Sequence, residues 1–275
     1  MNGKHEPLTE AEMAGFRLDA ALLDQLRAFA PPPARILDWG CGRGRAVALL
    51  RQEGFEAFGV DTDRAVLRNG HALLRGRGLD PERLLRHLDD IRTFGEDGFD
   101  ILFSEETLEH IADIAALAHE SYRLLRPGGL AVHSFPGMRR LVEPHLRMPL
   151  VHWLAPGVPR RLLIQACLLL GHGPRPPWPE AHDNRGRPMP LAGQAALYAR
   201  YLEEKVHYRR IAEIASIHDR VGFRVGHRIL GPAPAWAGLL PESWRGNGFP
   251  AGNVLLLLHK PDIIAPRAST GSTPS

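Results

Sequence analysis

Ile36-Leu37-Asp38-Trp39-Gly40-Cys41-Gly42-Arg43-Gly44 is the stretch that decides how this chain is read. A short apolar run ends in an acidic residue and passes into three glycines at alternate positions. Glycine adopts backbone angles closed to other residues and lets a ligand approach the main chain closely. A buried strand feeding such a loop, with a helix behind it, is a common nucleotide-binding arrangement at the carboxyl end of a parallel strand. The dinucleotide spacing G-x-G-x-x-G is not met, because Arg45 stands where the third glycine would be. Asp38 also argues against a pyrophosphate, which a nearby carboxylate repels, and favours a ligand that carries positive charge.

Outward from this loop the chain alternates. Ala34 to Asp38 reads as a strand, residues 44–53 as a helix, Ala57 to Val60 as a strand and Arg64 to Arg75 as a helix. Further strands are expected at Leu84 to Leu88, Phe99 to Phe103 and Leu130 to Ser134, with a helix through Leu125 before the last of them. Strands alternating with helices imply a parallel sheet covered on both faces. Upstream, residues 8–30 have helical spacing, with Thr9 as an N-cap, and Pro31-Pro32-Pro33 ends that helix. The alternation stops at about residue 137. Residues 137–206 are rich in Pro, His, Trp and Arg, and hold the apolar run Leu162 to Leu170, too short to span a bilayer. That run reads either as a buried helix or as a helix lying on a membrane surface. Beyond it, Tyr208 to Val221 is helical in pattern, and Phe223 to Ile229 and Val254 to His259 are strand-like. The Ser/Thr/Pro/Gly-rich tail from Ala265 to Ser275 is expected to be disordered.

Five segments in this order resemble the motifs of class I S-adenosylmethionine-dependent methyltransferases. They are the glycine loop, Gly59-Val60-Asp61 about twenty residues on, Asp89-Asp90-Ile91, Phe99-Asp100-Ile101-Leu102-Phe103-Ser104, and Leu124-Leu125-Arg126-Pro127-Gly128-Gly129. The resemblance implies an α/β fold, a Rossmann-like doubly wound seven-stranded sheet, mostly parallel with the last strand antiparallel, and a helical, Pro-rich insertion after strand five. It divides the chain into an N-terminal helix and linker (1–33), a cofactor-binding core (34–136), a substrate-lid insertion (137–206), the C-terminal part of the core (207–262) and a tail (263–275). It implies S-adenosylmethionine as cofactor, held by Asp38, Gly40, Cys41, Gly42, Asp61, Thr62, Asp90, Ile91 and Ser104, with Asp61 on the ribose hydroxyls.

Two histidines are the candidates for chemistry: His110 after the fourth strand and His145 at the start of the insertion. Imidazole titrates near neutrality and suits a general base. Glu106, Glu109 and His110 spell E-x-x-E-H, which resembles a divalent-metal motif of some methyltransferases; His145 would be the fourth ligand. A metal is not required by this reading, since methyl transfer is an in-line displacement that mainly needs alignment and exclusion of water. The insertion, with His152 and Trp153, resembles the substrate lid of bacterial enzymes of the ubiquinone O-methyltransferase type. The expected acceptor is a small molecule or a lipid- or glycan-linked group, methylated on oxygen. The competing readings are a non-catalytic cofactor-binding protein and an RNA methyltransferase.

Composition narrows the partners. The 275 residues carry a net charge of +3, and the only lysines are Lys4, Lys205 and Lys260. The arginines fall in scattered pairs rather than a basic run, so nucleic acid is not the expected partner. Two cysteines far apart, Cys41 and Cys167, fit a reducing cytoplasm, and the first fifteen residues have no apolar signal-like stretch. The expected location is cytoplasmic; the alternative, if Leu162 to Leu170 lie on a membrane, is peripheral to its inner face.

Overall fold

The computed structural model describes residue 18 and residues 20–183, 185–230 and 252–262. Thr9 and the tail from Ala265 lie outside them. The helix expected over residues 8–30 is seen as α1 (Ala20–Phe29). Then follow β1 (Arg35–Trp39), α2 (Arg45–Gln52), β2 (Glu56–Asp61), α3 (Arg64–Arg75), β3 (Leu85–His87), β4 (Phe99–Glu105), α4 (Ile114–Leu124) and β5 (Leu125–Pro136). After an insertion come α7 (Ile211–Val221), β8 (Arg224–Leu230) and β9 (Asn253–His259), the labels β6, β7, α5 and α6 belonging to the insertion.

The seven strands lie in the order β3-β2-β1-β4-β5-β9-β8. The first four pairings are parallel, and β9 runs antiparallel to both β5 and β8. The expected sheet is therefore present, with β9 the reversed strand. β1 and β4 hold the centre. Ile36, Leu37, Ile101 and Leu102 are fully buried, which is why these strands read as continuous apolar runs rather than as alternations. Asp63 caps α3 by accepting from the N–H groups of Ala65 and Val66. Phe58, Phe94 and Phe99 meet edge to face at 5.2–5.9 Å under the start of β4. Lys260 fastens the end of β9: its Nζ donates to Asp97 Oδ1 at 2.6 Å and to the carbonyls of Tyr122 and Leu125.

The insertion has a core of its own. A short hairpin, β6 (Val142–Glu143) with β7 (Met148–Pro149), leads to α5 (Val158–Leu169) and α6 (Leu191–Glu204). Ile164 and Cys167 of α5 pack with Ala195, Tyr198, Ala199 and Leu202 of α6. The apolar run expected to be either buried or surface-lying is neither throughout: Ile164 and Cys167 are buried, whereas Leu162, Leu169 and Leu170 are exposed. Among the described residues no helix is long and apolar enough to cross a membrane.

On the sheet face away from the glycine loop, Ser104 of β4 bonds His133 Nδ1 of β5 at 2.8 Å, and both are buried. Burial, with a smaller contribution from His218 of α7, pushes the His133 imidazole down to about 3. Burial also lowers His218. A histidine with a depressed folded value stays neutral while the unfolded chain takes up a proton. Stability should therefore decline as pH falls from about 6.5 toward 3. In urea titrations across that range, His133→Gln, which keeps a hydrogen-bonding group but cannot titrate, should flatten the slope by up to about 1.4 kcal/mol per pH unit. Identical slopes for the two proteins would show that His133 is not the buried neutral group described.

Candidate active site

The glycine loop joins β1 to α2, and its geometry follows from its neighbours. Gly40, Gly42 and Gly44 all have positive φ, at 82°, 54° and 71°. A Cβ on Gly40 would stand 2.5 Å from the side chain of Thr107, so the loop presses directly on the turn after β4. A Cβ on Gly42 would meet only Val66, at 3.9 Å. Gly42 instead borders a cavity of about 230 Å³, together with Asp38, Arg43, Val66, Phe103 and Glu105.

The loop amides are already engaged. The N–H groups of Gly40 and Cys41 donate to Val60 O, and that of Gly44 to Cys41 O. The N–H of Gly42 donates to Asp61 Oδ2 at 2.8 Å, and Asp61 Oδ1 accepts from Asp63 N at 2.9 Å. A phosphate cradle needs such amides unpaired. Carboxylates are what converge on this site instead. Asp38 is 5% exposed, and its carboxyl is held well above the usual carboxylate range by burial, then by Glu105, then by Asp61. Burial and the same two aspartates, Asp38 and Asp61, raise the Cys41 thiol. The cavity therefore meets a ligand with the carboxyl groups of Asp38 and Glu105 as well as with Arg43 and Arg45.

Of the residues expected to hold a cofactor, Asp38, Gly40, Cys41 and Gly42 border the cavity, and Asp61 braces the loop beside it. Ser104 does not belong with them. Successive side chains of β4 alternate between faces; Phe103 and Glu105 take the cavity side, so Ser104 points to His133 on the other. Thr62, Asp90 and Ile91 do not line the cavity. Thr62 O is bonded by His87 Nε2 at 2.8 Å, Asp90 is exposed, and Ile91 is buried in the core. The sequence reading missed Glu105, which the period of two would have pointed to, and His87, which ties the end of β3 to the end of β2.

Beyond Glu105 the chain leaves the sheet through Glu106, at φ 50°, and a turn of 3₁₀ helix, Leu108–His110. A ligand atom from each of Glu109, His110 and His145 lies within 4.8 Å of the others. Glu106, the fourth candidate, is not part of that group: its Oε1 accepts from Asn253 Nδ2 at 2.9 Å. His110 Nδ1 lies 2.6 Å from Lys205 O, so that nitrogen carries a proton and donates to the carbonyl. His145 Nδ1 lies 2.7 Å from Glu143 Oε1, which also accepts from Tyr208 Oη at 2.7 Å. Glu143 Oε2 accepts from Leu146 N. Burial alone would raise Glu143, but the bond and charge of His145, then Tyr208 and Leu146, hold it below the usual range. Burial alone would lower His145; the bond and charge of Glu143, then Glu109 and Glu106, raise it. His145 Nε2 lies 3.9 Å from Glu109 Oε1, and the two imidazoles are 4.9 Å apart between centroids. Two nitrogens and a carboxylate fit a divalent ion, and equally fit a base with its orienting partner.

The methyltransferase domain family matches residues 13–227. This chain belongs to that family. Among similar proteins, the chain is 33% identical over 102 residues to a ubiquinone biosynthesis O-methyltransferase of Alkalilimnicola ehrlichii, covering 36% of this chain and 40% of that protein. It is 32% identical over 127 residues to the methyltransferase GfsG of Streptomyces halstedii, covering 45% and 44%. The matched stretch thus spans under half the length of these relatives. Among solved structures, an S-adenosylmethionine-dependent methyltransferase from Mesorhizobium loti has a TM-score of 0.51 at 21% identity, covering 90% of this chain and 99% of that one. Phosphoethanolamine N-methyltransferase 2 of Haemonchus contortus, solved with S-adenosylmethionine, has a TM-score of 0.51 at 16% identity, covering 88% and 52%. These likenesses establish the fold, that of the class I S-adenosylmethionine-dependent methyltransferases.

The cavity suits that cofactor. An ammonium and a sulfonium could sit against Asp38 and Glu105, and the open side of Gly42 leaves room for the ligand. The two glycines should separate in behaviour. Gly40→Ala should lower the melting temperature through its clash with Thr107, whereas Gly42→Ala, strained only by its φ, should melt closer to wild type. Equal losses would contradict the contacts described. A cationic ligand also draws Asp38 back toward its charged form, so cofactor binding should release protons and tighten as pH rises through the range in which the raised Asp38 carboxyl titrates. Calorimetry in buffers of different ionisation enthalpy reads the proton count directly, and a count of zero at every pH would argue against a raised Asp38.

Proposed function

We propose that this chain transfers a methyl group from S-adenosylmethionine to a hydroxyl oxygen of a small-molecule or lipid- or glycan-linked acceptor. The observation that carries this reading is the Glu143-backed His145, whose Nε2 faces Glu109 and the His110 ring at the end of β4. Bound cofactor supplies an electrophilic methyl on a sulfonium that leaves as a neutral thioether. The residues then have three tasks. Asp38 and Glu105 would meet the positive charge of the ligand; Asp61 would keep the loop closed and retain lone pairs for a ribose hydroxyl. His145 or His110 would take the acceptor's proton at Nε2. A divalent ion held by Glu109, His110 and His145 would serve the same end by lowering the hydroxyl's pKa. The name of the Alkalilimnicola relative, an O-methyltransferase, supports oxygen as the accepting atom.

His145→Ala and His110→Ala should bind cofactor as wild type does but transfer methyl about 10²-fold more slowly, the scale of a positioned base. Transfer of labelled methyl to catechol as a probe acceptor would measure this. Near-normal rates in both variants would remove the histidines from the reaction. Loss of transfer with a chelator, restored by Mg²⁺ or Zn²⁺, would select the metal route over direct proton transfer.

A further inference from the structure

Among the described residues, every exposed large hydrophobic side chain except Leu230 falls in residues 142–170. These are Val142, Leu150, Trp153, Val158, Leu162, Leu169 and Leu170. The densest group is on α5. Val158, Leu162 and Leu169 are 63%, 58% and 76% exposed, and their spacing of four and seven residues puts them on one face. The exposed Ala166 lies on the same side. The opposite face, with Arg160, Ile164 and Cys167, is buried against the insertion's core. α5 is therefore apolar on its outside as well as its inside, which is unusual for a helix facing water.

Along the sequence, the charge flanking this ridge has one sign. Between Glu143 and Glu180 there is no Asp or Glu, while Arg147, Arg160, Arg161 and Arg175 are present. Arg160 is turned inward onto Leu154 O. Arg161 is exposed next to Leu162 at the start of α5, and Arg175 is exposed past its end, bonded to Gly171 O. The ridge is thus bracketed by exposed cations at both ends; the carboxylate that the structure places against α5, Glu203, lies 3.9 Å from Arg160, on the helix's buried side. A second copy of the chain packed ridge to ridge would bring like-charged guanidinium groups together.

We infer that α5 docks on the surface of an anionic lipid bilayer, with Val158, Leu162 and Leu169 entering the headgroup–acyl boundary and Arg161 and Arg175 meeting lipid phosphates. At about 1.5 Å per residue a twelve-residue helix is far too short to span the membrane, so it lies in the interface. Arginine stems run along apolar surface while their heads stay with the charge. His145, at the start of the insertion, would then be carried on the same unit that touches lipid. The inference stands apart from methyl transfer and is read by binding alone.

The test is co-sedimentation of the full chain with vesicles of phosphatidylcholine alone and of phosphatidylcholine with phosphatidylglycerol. Binding to the anionic vesicles should be stronger by about ten-fold or more and should weaken with salt. Leu162→Asp with Leu169→Asp should abolish it, with circular dichroism melting confirming that the variant folds. Arg161→Glu with Arg175→Glu should remove the preference for anionic vesicles while the fold is kept. Failure of the wild-type chain to bind either vesicle would overturn the inference, as would unchanged binding by the leucine variant. Light scattering that shows a dimer, dissolved by the same leucine substitutions and without vesicle binding, would assign the ridge to a second copy instead.

Discussion

The hydrogen bond from the Gly42 amide to Asp61 Oδ2 is the constraint on which the site depends. It closes the glycine loop over the end of β2 and spends an amide that a phosphate would otherwise use. With the amides of Gly40, Cys41 and Gly44 also donating within the fold, the main chain of the loop offers a ligand little positive charge, and what there is comes from the Arg43 and Arg45 side chains. What it leaves in place is the carboxyl group of Asp38, with Glu105 close enough to raise it further. The preference for a cationic cofactor over a pyrophosphate is therefore set by where the main-chain donors go, as much as by the acidic residue itself.

The same loop fixes the next part of the site. Gly40 has no room for a side chain because Thr107 lies against it. The turn that follows, Leu108–His110, is thereby held next to the cofactor loop, and two further segments close on it. The amide of His207 donates to Glu109 O, and His110 bonds Lys205 O, both from the stretch just after α6. Glu143 of β6 then brings in His145 and accepts from Tyr208. Residues far apart in the chain meet because the insertion begins and ends at this one turn.

Much of the sheet was legible in the sequence because its strands are buried on both faces, and their apolar runs stop at turn-forming residues. The helix over Arg64–Arg75 was read from its own apolar spacing, whereas the reversed last strand was implied only by the family resemblance. The glycine loop was legible because its spacing excludes the dinucleotide pattern at a single position, Arg45. Side-chain direction was less so. Ser104 was placed at the cofactor by its motif, although the alternation along β4 gives that face to Phe103 and Glu105. The role of Glu143 as the partner of His145 could not be read, since a two-residue separation in sequence does not say that the hairpin turns both side chains together.

Burial explains why the insertion gave the most ambiguous reading. Hydrophobicity along Leu162 to Leu170 is nearly continuous, and a continuous run carries no periodic information about which face meets the core. The packing resolves it: Ile164 and Cys167 face α6, and the leucines that remain cannot follow them inward because α5 is covered on one side only. A helix that needed only to cover the insertion's core would have polar residues on its outer face. Covering Val158, Leu162 and Leu169 would instead contribute roughly 25 cal/mol per Å² of apolar surface removed from water.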